Sequence, residues 1–229
     1  MSATPSARSP DERDGFVRTA STAVQTTYPR SLTPTRMDRI CVYCGSRPGS
    51  DPAFLTAAGS FGRLLAERDL GLVYGGGDVG LMGAVADGAL AGGGEVVGVI
   101  PEALYEREVA HEGLSELLVV DSMHTRKRRM AALADGFVAL PGGFGTLEEL
   151  VEMLTWAQLG FHTDPCGLLN VAGYYDGLVS FFDTQVDAGF VDPAHRDILA
   201  VTDDPHDLLA RFEAYDSPVD ERVVDDTDV

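Results

Sequence analysis

The chain has 229 residues, 45% of them hydrophobic, and carries 17 basic against 36 acidic side chains for a formal net charge of −19. That length and apolar content suit one sizeable globular core, not two independent domains and not a disordered chain. A field of that sign repels nucleic acid and anionic membranes, so neither is expected as a partner.

Residues 1–37 are rich in Ser, Thr, Pro and Arg, lack the hydrophobic core of a secretory signal, and read as a flexible N-terminal tail. From residue 38 an alternating pattern begins. Residues 39–45, "RICVYCG", form an apolar strand ending in a glycine. Asp51 and Pro52 then supply an N-cap and a first helical position for "AFLTAAGSFGRLLAERD". "LGLVYGGG" is a second strand, "GLMGAVADGALAGG" a helix of small residues and "EVVGVIP" a third strand, followed by a loop with Glu108 and His111. "ELLVV" is the next strand, with a helix from about Ser122 to Ala134 behind it. "GFVALPGG" and "TLEELVEMLTWAQLG" repeat the strand–helix theme, as do "PCGLLNV" and "YYDGLVSFFDTQVDAG". "DILAVTDD" and "PHDLLARFEAY" close the body, and an acidic tail occupies 216–229.

Strands separated by helices of ten to fifteen residues imply right-handed crossovers and a parallel sheet. The strands are continuous apolar runs, as expected when helices cover both faces. The expected fold is therefore a single doubly wound, Rossmann-like α/β domain over 38–215. Cys41 and Cys44 are three apart on a strand and so point to opposite faces, which argues against redox or metal partnership. A reducing, cytoplasmic setting is expected for them. No apolar run is long enough to span a membrane. Lys127 is the only lysine. An acidic, lysine-poor surface fits a protein working in concentrated salt, and fits equally an ordinary acidic protein from a GC-rich genome.

In doubly wound sheets ligands bind beyond the carboxyl ends of the strands, and both glycine-rich turns lie there. "GGGDVG", Gly75 to Gly80, satisfies G-x-G-x-x-G, with Glu102 near the place of an acidic ribose ligand. It follows the second strand, however, where a dinucleotide fingerprint normally follows the first, so NAD is disfavoured. "PGGFGT", Pro141 to Thr146, is the second turn. Glycines let backbone N–H groups approach an anion, and a helix start adds partial positive charge. Two such turns favour a phosphorylated ligand over simple tight connections. Thr146 has the choice of capping the helix or donating its hydroxyl to a phosphate.

Glu148 and Glu149 are expected in the first turn of the helix that follows. There a carboxylate either stabilises the helix dipole or faces the ligand, and at most one of the two points squarely into a pocket. Glu149 shares a face with Met153, and Glu148 with Glu152. The cationic run "RKRR" opens the helix after Ser122, with Arg126, Arg129 and Leu133 on one face. It reads either as a solvated face or as a site for a phosphate. No pattern supports a pyridoxal phosphate Schiff base at Lys127.

Taken together, "CVYCGSRPG", "LVYGGGDVGLMGAVADGAL", "VIPEAL", "MHTRK", "PGGFGTLEE", "TWAQLGFH" and "GLLNVAGYYDGL" resemble, in order, the Lonely Guy (LOG) proteins, which are cytokinin riboside 5′-monophosphate phosphoribohydrolases. The central element matches their P-G-G-x-G-T-x-x-E motif. The resemblance implies hydrolysis of the N-glycosidic bond of a nucleoside 5′-monophosphate such as a cytokinin riboside monophosphate or AMP, with no metal or cofactor. It implies Arg126 and Glu149 as the catalytic pair and a phosphate loop of Gly142, Gly143, Phe144, Gly145 and Thr146, with Lys127 and Glu148 nearby. Glu108 and Thr155 match ligand-contacting positions, and Gly75, Gly76 and Gly77 are expected to line the cleft. It further implies a homodimer or larger assembly with the site near the interface. The helix around Trp156 is a candidate contact surface, or equally an internal one. Thr125 departs from the Glu or Gln of many relatives, and the N-terminal tail has no counterpart. Some relatives carry the label "lysine decarboxylase", which this sequence does not support. The runner-up reading is a nucleotide- or molybdenum-cofactor-binding carrier on the same fold, which needs the phosphate loops but no catalytic carboxylate.

Overall fold

In the computed structural model the described residues are 17–19, 37–105 and 110–219. In chain order they form β1 (Val17–Thr19), β2 (Arg39–Tyr43), α1 (Pro52–Glu67), β3 (Gly71–Tyr74), α2 (Gly80–Ala91), β4 (Val96–Pro101), α3 (Glu102–Tyr105) and β5 (Glu116–Val120). Then come α4 (Met123–Leu133), β6 (Phe137–Ala139), α5 (Phe144–Gln158), β7 (Cys166–Leu169), α6 (Asp176–Asp187), α7 (Pro193–Arg196), β8 (Leu199–Thr202) and α8 (Pro205–Glu213). The strands make one sheet in the order β1-β5-β4-β3-β2-β6-β7-β8, and every pairing is parallel. This is the doubly wound α/β fold expected from the alternating pattern.

One boundary changes. Val17–Thr19 fall within the expected tail, yet they run parallel to β5 with Val17 opposite Leu117. The outer edge of β5 offers a row of backbone groups that a short segment can pair with. Of the rest of the expected tails, Met37 and Val219 pack against the core, and residues 1–16, 20–36 and 220–229 lie outside the described residues.

Alternation along each strand divides the core into two layers. Ile40, Val42, Leu72, Tyr74, Val96, Ile100, Val138 and Leu140 pack with α1, α2 and α8 residues such as Phe61, Leu65, Val85 and Leu208. Cys41, Tyr43, Val73, Val97, Val99, Phe137 and Ala139 pack with Met130, Leu150 and Met153 of α4 and α5. Cys41 and Cys44 accordingly belong to opposite layers. Both are buried thiols, and desolvation pushes each far above the usual cysteine range.

The small-residue helix has a packing reason. A Cβ at Gly62 would stand 2.0 Å from the Val85 carbonyl oxygen, and one at Gly88 would stand 2.0 Å from that of Gly59. α1 and α2 therefore approach backbone to backbone, which larger side chains would prevent.

Helix starts are capped mostly from nearby in sequence. Asp51 accepts the Ala53 amide at 2.8 Å, Ser122 the Thr125 amide at 3.1 Å, Asp192 the Ala194 amide at 2.9 Å and Asp204 the His206 amide at 2.8 Å. α2 lacks a side-chain cap, but its Leu81 and Met82 amides donate to the Gly45 carbonyl at 3.0 and 3.3 Å. α5 has Gly143 at its N-cap position and no side-chain cap.

Candidate active site

Strand order reverses at β2, which pairs with β3 on one side and β6 on the other. The chain steps outward from β2 to β5 and then returns to β6, so the loops after β2 and β6 diverge and leave a crevice. A cavity of about 520 Å³ occupies that place. Gly45, Ser46 and Arg47 line it from behind β2, Gly75 from behind β3, and Pro141 to Thr146 from behind β6. Met123, Arg126 and Met130 of α4, Glu148 and Glu149 of α5, and Tyr174 also line it, with Phe54, Met82 and Leu104 among the apolar remainder.

The two glycine-rich turns differ in which helix-start amides are already bonded within the chain. In "GGGDVG" two leading amides of α2, those of Leu81 and Met82, are already taken by the Gly45 carbonyl, and these two are not turned toward a phosphate. Gly76 and Gly77 do not line the cavity: the Gly76 carbonyl accepts the His111 amide at 3.1 Å, and Gly77 bridges Ala110. Gly75 does line it. The difference is tertiary in origin, because the capping carbonyl belongs to the loop after β2.

The "PGGFGT" turn behaves differently. Phe144, Gly145 and Thr146 are the first three residues of α5, and amides at a helix start have no preceding turn to bond. All three residues line the cavity. Gly142 is required by packing, since a Cβ there would stand 2.1 Å from Thr146 Oγ1. Gly143 and Gly145 have nothing within 4 Å of an added Cβ, so the protein itself places no steric demand on either.

The helix also starts earlier than expected. With Phe144 as its first residue, Glu148 and Glu149 fall in the second turn, and the first turn holds no acid. Dipole stabilisation, which fades beyond the first turn, is thus a weaker reason for them. Both line the cavity, but they are held differently. Lys127 Nζ donates to Glu148, in a short contact, and to Glu152 at 2.9 Å. Burial by itself disfavours the Lys127 ammonium, yet its bonds to Glu148 and Glu152 outweigh that and hold it above the ordinary lysine range. A charged, doubly paired lysine is unsuited to Schiff-base chemistry, which needs the neutral amine. Glu149 stands close enough to the end of β2 for its carboxylate to add to the burial that raises Tyr43 and Cys44.

Of the four cations in "RKRR", Arg126 alone lines the cavity. The buried stripe of α4 is Arg126, Lys127, Met130 and Ala131, with Arg129 and Leu133 at its half-buried margin. Arg126 is 6% exposed. Its Nη2 donates to the Gly75 carbonyl at 3.2 Å, its Nη1 approaches Met123 Sδ at 3.8 Å, and its Nε has no hydrogen-bond partner. A buried guanidinium with an unused N–H is suited to an anionic or sugar ligand.

Thr155 lies on the exposed side of α5, donating to the Val151 carbonyl at 2.8 Å, and does not line this cavity. Glu108 lies outside the described residues. Sequence reasoning missed Ser46, Arg47 and Tyr174. The first two follow the strand from which the order reverses and were in reach of the switch-point rule, whereas Tyr174 comes from a turn after β7 with no local signal. Among the described residues no cluster of three or more His, Cys, Asp or Glu is arranged to hold a metal ion, and no helix is long and apolar enough to cross a membrane.

Comparison with known proteins agrees with this architecture. Residues 82–212 match a family model described as possible lysine decarboxylase. The Arabidopsis thaliana protein named cytokinin riboside 5′-monophosphate phosphoribohydrolase is 50% identical over 189 residues, covering 82% of this chain and 87% of its own length. An Oryza sativa subsp. japonica protein named as a probable enzyme of the same kind is 51% identical over 186 residues, covering 81% and 76%. Among solved structures, the molybdenum cofactor carrier protein of Chlamydomonas reinhardtii superposes with a TM-score of 0.58 at 24% identity, over 78% of this chain and 98% of that one. The molybdenum cofactor binding protein of Rippkaea orientalis superposes with a TM-score of 0.59 at 22% identity, over 78% and 97%. At such identities the two structures bear on the fold alone. On the family model and the relatives of half-identical sequence, the chain belongs to the Lonely Guy (LOG) family.

Proposed function

We propose that this chain hydrolyses the N-glycosidic bond of a nucleoside 5′-monophosphate, a cytokinin riboside monophosphate or AMP, to free base and ribose 5-phosphate. The observation that carries the reading is the placement of Arg126, Glu149 and the uncapped start of α5 around one cavity at the switch point. The amides of the α5 start, backed by the helix dipole, take the 5′-phosphate. Gly143 and Gly145 are open to a Cβ in the folded chain, and an oxygen approaching the backbone gives a reason for glycine that packing does not.

With the phosphate anchored there, the sugar lies toward α4 and Glu149. As the C1′–N bond breaks, positive charge develops on the ribose and the base departs with the bonding electrons and a proton. The Glu149 carboxylate stabilises that cation and accepts a proton from the attacking water as its oxygen bonds C1′, which balances the proton the departing base takes up. Glu149 is the carboxylate at the motif position and lines the cavity, which supports giving it the chemistry, while Glu148 is paired with Lys127. Arg126 holds phosphate or sugar and counterbalances the carboxylate. Lys127 acts behind the wall, bracing α4 against α5.

The working form is proposed to be a homodimer or larger. Val151 on α5 is 42% exposed, Phe181 on α6 is 56% exposed and Phe190 just beyond it is 83% exposed, apolar surface of the kind a second copy covers. The buried, unpaired thiols fit the cytoplasm.

A product assay tests the function. AMP, isopentenyladenosine monophosphate, other nucleoside monophosphates and the free nucleosides are incubated with wild-type protein and Glu149→Gln at low and high salt, and released base is followed by chromatography. Base is expected from monophosphates but not nucleosides, falling at least about a hundredfold in the variant. Nucleotide binding without base release would instead support a carrier.

A further inference from the structure

We propose that Tyr174 and Tyr175 are positioning residues of the phosphate loop: their hydroxyls turn its carbonyl oxygens away from the anion. The proposal rests on the phosphate-binding reading of that loop and extends it to residues that contribute no charge.

Three consecutive carbonyls lead into the α5 start, and each is held from outside the loop. The Leu140 carbonyl accepts Tyr175 OH at 2.7 Å, the Pro141 carbonyl accepts the Gly45 amide at 3.0 Å, and the Gly142 carbonyl accepts Tyr174 OH. A carbonyl facing a bound phosphate repels it, whereas an amide attracts it. Because a trans peptide is planar, its C=O and N–H point in opposite directions. Fixing the Gly142 carbonyl on Tyr174 therefore aims the Gly143 amide the other way. Flexible glycines do not choose that orientation unaided.

The turn carrying the tyrosines is itself constrained. Ala172 has φ of 53° and Gly173 has φ of 70°, two successive left-handed residues, the first with a side chain that disfavours it. Asn170 holds the turn shut: its Oδ1 accepts the Tyr175 amide at 2.7 Å and its Nδ2 donates to Asp176 at 2.7 Å. The Tyr174 ring sits edge-on between Phe54, with centroids 5.4 Å apart, and Tyr175, at 4.8 Å. Tyr174 is still 45% exposed, so water could serve its hydroxyl. Its bond to Gly142 thus orders the loop more than it satisfies a buried phenol. Tyr175 is 2% exposed and anchors the end of β6 beneath.

Tyr174→Phe keeps the ring and removes the hydroxyl. The Kd for ribose 5-phosphate, read by titration calorimetry, and the KM for the preferred monophosphate are each expected to rise about three- to tenfold, the worth of one hydrogen bond. In the same variant kcat is expected to stay within about twofold and Tm to hold within about 2 °C. Tyr175→Phe, which strands a buried carbonyl, is expected to weaken binding and lower Tm together. Wild-type affinity for ribose 5-phosphate in Tyr174→Phe, or a loss confined to kcat, overturns the positioning role and leaves the hydrolase reading intact. Failure of the wild-type protein to bind ribose 5-phosphate or inorganic phosphate removes the phosphate loop and this proposal together.

Discussion

Gly75 and Arg126 interlock: the carbonyl of Gly75 accepts Arg126 Nη2 at 3.2 Å, and a Cβ on Gly75 would stand 2.0 Å from that same nitrogen. The glycine behind β3 is therefore shaped around a side chain of α4, 51 residues away in the chain. Gly75→Ala is expected to displace the guanidinium by about 1 Å and reduce kcat/KM by roughly a hundredfold. The α/β circular dichroism should be unchanged. Wild-type turnover in that variant would remove Arg126 from the proposed catalytic pair.

The clamp between α4 and α5 makes a stability prediction. Lys127, with a side chain 9% exposed, bonds Glu148 and Glu152, whose side chains are 56% and 25% exposed. Lys127→Met leaves two carboxylates facing each other, and Glu152 Oε2 already has no hydrogen-bond partner. A loss of about 1–2 kcal/mol is expected, reduced from the fully buried case by the exposure of Glu148. Glu152→Gln in the same chain should recover part of it, and a urea-denaturation double-mutant cycle measures the coupling. Additive single effects would refute the clamp.

His162 ties stability to acid pH. Its Nε2 donates to the Met153 carbonyl at 3.0 Å, and its Nδ1 accepts the Asp164 amide at 3.2 Å. Asp164 Oδ2 lies 3.9 Å from Nδ1, but that nitrogen carries no proton, so the contact is not an ion pair. Burial lowers the ring's pKa to about 4, against an opposing effect of these two hydrogen bonds. The unfolded chain takes up this proton near pH 6.5 and the folded chain only near 4. Stability from this group is thus present above about 6.5 and lost as pH falls through that window, up to about 3 kcal/mol. In His162→Gln the slope of unfolding free energy between pH 6.5 and 4 should flatten by that contribution. An unchanged slope would assign the acid sensitivity elsewhere.

Net charge predicts a salt response. At −19 the folded chain repels itself, and the screening length falls from about 10 Å at 0.1 M salt to about 3 Å at 1 M. Raising KCl over that range is expected to raise Tm by several degrees, about 1–2 kcal/mol of relief. A flat or falling Tm would show that the acidic surface carries no such strain.

Most of the layer order was legible because its signals are local. Apolar runs such as 39–45 and 71–74 declare buried parallel strands, and the Asp51-Pro52 pair marks a helix start that the structure places there. The site was legible in part. The Pro141–Thr146 turn and Arg126 surround the expected crevice, but which face of α4 turns inward was not legible: "RKRR" has no apolar residue to fix its phase, and Met130 and Ala131 decide it. The start of α5 was misplaced because Phe144 and Gly145 read as loop until Thr146 and Leu150 are seen buried against the core.

Alone, the sequence determined the fold class, the family resemblance and the presence of a glycine-rich helix start next to two glutamates. Those follow from periodicity, caps and motif spacing, which act over a few residues. Only the tertiary structure decided which glycine turn keeps its amides. It settled that the Gly45 carbonyl occupies the start of α2, that Lys127 holds Glu148, and that Tyr174 and Tyr175 hold the carbonyls before α5. These bonds join segments from 21 to 37 residues apart, and they exist only because the strand order brings those segments to one end of the sheet.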